Sequence, residues 1–263
     1  MKYPLVKLVL IATPLLLASF NLNAEAVAKV YPIKGVSELV VDGDTQVELV
    51  QDGTEYLRID ADADILARVR VDQTGRKLMI DVKNEGGFFG WFSQQNKRIR
   101  VTLRLKDLSY LELSGAAQLN TGPLRGEQLT LEASGAGEAK ISALEYPVLK
   151  LGLSGASNAH VEQINGRELV CDISGASNLE IRSASQVEYL RADASGASNL
   201  QAKKMQVVKA HVEASGASYI AVSVSGELKA KASGASTVDY YGAPKADTDT
   251  SGASSVNAHS AQD

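Results

Sequence analysis

Leu149-Lys150-Leu151-Gly152-Leu153-Ser154-Gly155-Ala156-Ser157-Asn158-Ala159-His160-Val161 holds two short runs of alternating apolar and polar residues, joined by a Ser-Gly-Ala-Ser break. A period of two marks a strand with one face buried and one face wet. The unit recurs along the chain. Ser-Gly-Ala starts at Ser114, Ser134, Ser154, Ser174, Ser195, Ser215, Ser233 and Ser251, at intervals of 20, 20, 20, 21, 20, 18 and 18 residues. A fixed period of this size is the signature of a stacked-repeat architecture. It also argues against any one of these serines as a nucleophile, because a nucleophile is needed once and a corner in every coil.

Aligning the copies on their serine gives columns. Five, three and one residues before it stand Leu129, Leu131 and Ala133, then Leu149, Leu151 and Leu153, then Leu169, Cys171 and Ile173. Five residues after it stand Leu119, Ala139, Ala159, Leu179, Leu200, Ile220, Val238 and Val256. The residues between are mostly polar, and a looser return such as Gln163-Ile164-Asn165-Gly166 follows. Strand, corner, strand and return in each repeat predict an all-β, parallel β-solenoid, with each coil pairing to its neighbours over one shared core. At ~3.3 Å per residue a coil has a perimeter of roughly 60 Å, and eight coils at ~4.8 Å stack to roughly 38 Å.

The corner glycines Gly115, Gly135, Gly155, Gly175, Gly196, Gly216, Gly234 and Gly252 are expected to supply a positive φ or a close approach between successive backbones. The adjoining alanines should have little room. The serine hydroxyls can bond along the stack or to corner backbone groups. Asn158, Asn178 and Asn199 align in three successive coils, where an amide ladder is possible.

The ends bound the setting. Residues 1–26 read as a secretory signal: Lys2 and Lys7, an apolar run from Leu8 to Phe20, and Ala24-Glu25-Ala26 as a small-x-small cleavage pattern. The run is short for a membrane span, and Pro14 interrupts it. Its removal leaves 25 basic against 30 acidic residues, a balance that gives no support for nucleic-acid binding. Cys171 is the only cysteine, so an intramolecular disulfide is excluded, and the alternation points it inward. Residues 27–258 form one expected domain, with an irregular β part over 27–108, regular coils over 109–258 and a tail at 259–263. Val36–Val50, Tyr56–Ile59, Leu66–Val71, Leu78–Val82 and Ile99–Leu105 are candidate strands of irregular coils or of a small capping sheet. The weak columns of the last repeat, Ala246, Thr248 and Thr250, suit a C-terminal cap.

The chain resembles the GIN-domain family of bacterial autotransporter adhesin heads. The resemblance rests on Val36-Ser37-Glu38-Leu39-Val40-Val41, Arg76-Lys77-Leu78-Met79-Ile80, Ile99-Arg100-Val101-Thr102-Leu103, Leu108-Ser109-Tyr110-Leu111-Glu112-Leu113-Ser114-Gly115-Ala116 and the later Ser-Gly-Ala-Ser copies. It covers roughly Gly35 onward. It implies a right-handed β-helix-like fold and a cell-envelope or surface setting, periplasmic or on the cell surface, and brings no catalytic residues.

Tests for chemistry return little. Two residues before the serines stand Glu112, Glu132, Asp172, Asp193, Glu213 and Asp249. Stacked carboxylates serve acid/base work or bind calcium, whereas Lys150, Arg191 and Lys229 in the nearby outward column suggest a neutralised, solvated ladder. His160, His211 and His259 show no metal spacing. Asp60-Ala61-Asp62-Ala63-Asp64 lacks the glycine and distal glutamate of a calcium loop and reads as a turn. No metal or other cofactor is expected. Gly86-Gly87-Phe88-Phe89-Gly90-Trp91-Phe92 holds the only Trp and every Phe beyond the signal. Phe88, Phe89, Trp91 and Phe92 are therefore the candidate contact residues, either an exposed docking loop or a plug over the N-terminal end. The expectation is an exported, non-enzymatic module that binds an envelope or surface component: glycan, lipid or protein. The alternatives are a carbohydrate-active enzyme using the acidic ladder, or a purely structural envelope protein.

Overall fold

A computed structural model describes residues 26–82 and 99–260. Its regular part follows from the alternating columns. β8 (Tyr110–Ser114), β10 (Gln128–Ala133), β12 (Val148–Leu153), the end of β13 (Asn158–Ile173), β15 (Ser185–Ala194), the ends of β16 (Asn199–Ala214) and β17 (Tyr219–Ala232), and β19 (Lys245–Thr250) lead into the eight corners. They stack in parallel with no slip between matching columns: Leu129 faces Leu149, Leu149 faces Leu169, and Cys171 faces Ala192. β9 (Gln118–Arg125), β11 (Glu138–Glu145), the start of β13, β14 (Asn178–Ile181), the starts of β16 and β17, β18 (Thr237–Tyr241) and β20 (Ser255–His259) lead away and stack likewise.

In all but the last level, β19 and β20, alternate side chains of these strands enter a single apolar core. Cys171 lies fully inside it; burial and the nearby Asp172 charge push its thiol well above the ordinary range. The largest fully buried side chain among the described residues, Tyr146, follows β11 in the return segment. Its hydroxyl donates to the Leu108 carbonyl at 3.1 Å, and its ring lies where a Cβ on Gly126 would stand 2.7 Å from Cε1.

The corners carry their own ladder. Each alanine N–H donates to the glycine carbonyl of the preceding coil at 2.7 Å, from Ala136 to Gly115 through Ala253 to Gly234. Gly196 has φ +75, and a Cβ there would stand 2.6 Å from the Gly175 carbonyl oxygen. Positive φ and close approach therefore act together. The alanines are exposed, contrary to the expectation of little room. The confined position is the next one, where Ser157, Ser177, Ser198, Ser218 and Ser236 are buried. The hydroxyls of Ser198, Ser218 and Ser236 donate to the carbonyls of Ser195, Ser215 and Ser233 at 2.9, 2.7 and 2.8 Å, and also reach a strand-end carbonyl of the coil before. Satisfying these hydroxyls on the main chain is what makes them tolerable inside. In the asparagine column Asn199 donates to Asn178 at 2.9 Å, a single rung of the expected ladder.

The N-terminal part supplies both irregular coils and a cap. β2 (Glu38–Asp42) and β3 (Thr45–Gln51) form a coil that pairs in parallel with β8 and β9 on one side. On its other side lie β6 (Lys77–Val82) and β7 (Ile99–Leu105), also parallel. β4 (Tyr56–Asp62) then runs antiparallel along β7, β1 (Ala26–Tyr31) along β4, and β5 (Val69–Thr74) along β6. Two expectations need correction. The acidic run is the end of β4 and a short helix, α1 (Ala63–Leu66), rather than a turn, and Leu66–Val71 is not one strand, because α1 ends at Leu66 and β5 starts at Val69. In the final repeat β19 is exposed along its whole length and lies over Leu228, Ala230 and Ala232 of the level before, which are at most 3% exposed.

Candidate functional site: a charged groove beside the corner ladder

The parallel register places the residues two before each serine one above another. Asp172, Asp193, Glu213, Lys231 and Asp249 form such a column through β13, β15, β16, β17 and β19. With the corner serines beside them they line a shallow, open groove of about 450 Å³. Its charges are largely paired. Arg191 Nη2 lies 2.8 Å from Asp193 Oδ2, and Glu213 Oε1 lies 3.0 Å from His211 Nε2 and 3.4 Å from Lys231 Nζ. The hydrogen bond from His211, helped by Lys231, holds the Glu213 carboxyl below the usual range and outweighs its desolvation. A general acid requires the opposite shift. Lys231 thus plays the neutralising part expected of Lys229. At the other end of the column Tyr110 hydrogen-bonds to Glu112 and Glu132, both at 2.9 Å.

The histidines stand apart from one another, each beside a carboxylate. His160 Nδ1 is 3.0 Å from Glu180, His211 is paired as above, and His259 Nε2 is 3.3 Å from Asp239. Burial works to raise the Asp239 pKa, but hydrogen bonds from Asn257, Tyr219 and His259 hold it below the usual range. Tyr241 stacks on the His259 ring at 4.9 Å. The signal for these pairs was present in the sequence: His160 and Glu180 both stand six residues after a corner serine, so a 20-residue coil sets them in adjacent rungs. Among the described residues no group of three His, Cys, Asp or Glu is arranged to hold a metal ion, and no helix is long and apolar enough to cross a membrane.

Phe88, Phe89, Trp91 and Phe92 lie outside the described residues. The strands that flank them, β6 and β7, belong to the coil next to β2 and β3.

Fold and surface together define a parallel β-solenoid that displays a laddered, charge-paired polar face. The chain belongs to the GIN-domain family: a family model described as "Putative auto-transporter adhesin, head GIN domain" matches residues 36–244. Solved structures share the fold. A putative lipid binding protein from Parabacteroides distasonis ATCC 8503 is 20% identical with a TM-score of 0.78, over 90% of this chain and 98% of that one. A putative adhesin from Parabacteroides merdae ATCC 43184 is 20% identical with a TM-score of 0.76, over 90% and 97%. A second Parabacteroides distasonis ATCC 8503 protein, a putative adhesin, is 18% identical with a TM-score of 0.77, over 90% and 98%. No curated protein matches the chain.

Proposed function

We propose that the protein is an exported, non-enzymatic binding module of the bacterial envelope or cell surface, holding an extended polar glycan along the groove beside the corners. The observation that carries this reading is the repetition in the groove. Successive strand levels present a corner serine next to a charged side chain, at the ~4.8 Å spacing of paired strands. Enclosed small-molecule sites have apolar walls that surround the ligand. This groove is open and polar, and it favours a polymer with a regular series of hydroxyls.

Binding to immobilised envelope glycans and to lipid vesicles tests the proposal. Glycan binding is expected, at least tenfold weaker in Asp193→Arg with Glu213→Arg. Binding to vesicles alone would replace the glycan with a lipid. The double variant Asp172→Asn with Asp193→Asn addresses catalysis. Its stability should change by less than about 1 kcal/mol, since partly exposed charges contribute little. Cleavage of the bound glycan by the parent protein, lost in this folded variant, would make the protein an enzyme.

Phe88, Phe89, Trp91 and Phe92 are a second proposed contact, on their composition. Trp91 is the only tryptophan, so its fluorescence reports on this segment alone. The emission is expected to shift to the blue when the glycan is added, and Trp91→Ala to weaken binding without lowering the melting temperature. Severe unfolding on Trp91→Ala, with no spectral response to ligand, would make these residues a plug.

A further inference from the structure

The last level of the solenoid among the described residues is formed by β19 and β20. β19 pairs with β17 and β20 with β18, and neither has a strand along its other edge among the described residues. The inward positions one level earlier, Leu228, Ala230, Ala232 and Val238, are at most 3% exposed. Their successors Ala246, Thr248 and Thr250 are exposed, and Val256 is only half-buried. The last level thus covers the core with small and polar residues and leaves its own outer edge unpaired among the described residues. Unpaired edges are templates for another strand unless they are blunted.

Charge indicates which strand. The outward residues of β19 are Lys245, Asp247 and Asp249, set in register on Glu227, Lys229 and Lys231 of β17. The same series is present on the free side. A two-fold axis sets a strand antiparallel to its own copy, and only registers that place inward residues opposite inward residues keep the core on one face. The register centred on Asp247 uses five residues of each β19. It places Lys245 opposite Asp249 of the second copy, twice, and Ala246 opposite Thr248 of the second copy on the inward face. The two Asp247 side chains meet at the centre, with Lys245 of the second copy on one diagonal of each and Asp249 on the other.

We propose that this end is a self-association surface, on which two copies of the chain join tail to tail through antiparallel β19 strands. Such a contact supplies the missing main-chain partners and covers Ala246, Thr248 and Val256. It shares only Asp249 with the groove of the glycan reading and is read by a different measurement.

Sedimentation velocity on the protein with no tag after Asp263 tests it. A concentration-dependent monomer–dimer equilibrium is expected. Lys245→Asp should weaken it at least tenfold, because like charges then oppose one another, and Lys245→Asp with Asp249→Lys should restore it. Asp247→Asn should tighten the dimer by removing the central repulsion. Lys245 and Asp247 are exposed, so each variant should keep the parent melting temperature when dilute. A monomer at every concentration would overturn the proposal, as would a dimer indifferent to Lys245→Asp.

Discussion

Gly196→Val is expected to abolish cooperative folding or lower the melting temperature further than any exposed-site substitution in this chain. Valine at φ +75 carries strain of about 1–3 kcal/mol. Its Cβ would also stand 2.6 Å from the Gly175 carbonyl oxygen, the acceptor for Ala197 at 2.7 Å, so the corner ladder must part at that level. A pair of alanine variants separates the two effects. Gly53 has φ +83 and open space where a Cβ would go. Gly53→Ala should therefore show the backbone cost alone, and Gly196→Ala that cost plus the collision. Thermal melts followed by circular dichroism decide the matter. Equal losses at the two sites would show that backbone proximity contributes nothing to the corner, and unchanged melts would remove its structural role.

The second large effect is expected at Tyr146. Replacing a buried aromatic ring by alanine costs about 3–5 kcal/mol in lost burial and residual cavity. The ring is fully enclosed, and Gly126 below it has no side chain with which to fill the space. Tyr146→Phe should cost only about 1 kcal/mol, the net value of the hydrogen bond to the Leu108 carbonyl. Urea unfolding of both variants measures the two numbers. A small loss in Tyr146→Ala would mean that the neighbouring returns collapse into the gap.

Much of the architecture was legible because it depends on columns. Leu149, Leu169 and Cys171 could be assigned inward from alternation alone, and the Ser-Gly-Ala spacing set which residues share a level. The serine after the alanine was harder to read. A buried hydroxyl and a surface hydroxyl look alike in sequence, and Ser218 lies inside, where main-chain carbonyls accept its hydrogen bond. Direction was also hidden: alternation in β4 is the same for parallel and antiparallel pairing, so this capping strand could be found but not oriented, while β1 was not found and β5 was placed three residues early. The groove was half visible. Its acidic column stood out, whereas the pairing of Glu213 with both His211 and Lys231 requires residues of two adjacent levels.

The placement of β2 and β3 between β6–β7 and β8–β9 bears on the order in which the chain assembles. From β8 onward each coil lands on one made about 20 residues earlier, so the stack can lengthen by successive local steps. The first coil is different. Ser114 must meet Asp42, 72 residues away, at a 2.6 Å hydrogen bond, and the outer level β6–β7 is synthesised in between. Closing the longer loop costs only roughly 1 kcal/mol more entropy than closing a single coil, so equilibrium stability is little affected. The kinetic consequence is larger. A chain emerging from its N-terminus cannot stack its levels in the order they appear; it must hold one side of β2 and β3 open until residues 110–121 arrive. The regular coils therefore provide a ready nucleus, and the N-terminal end closes as the slow, long-range step.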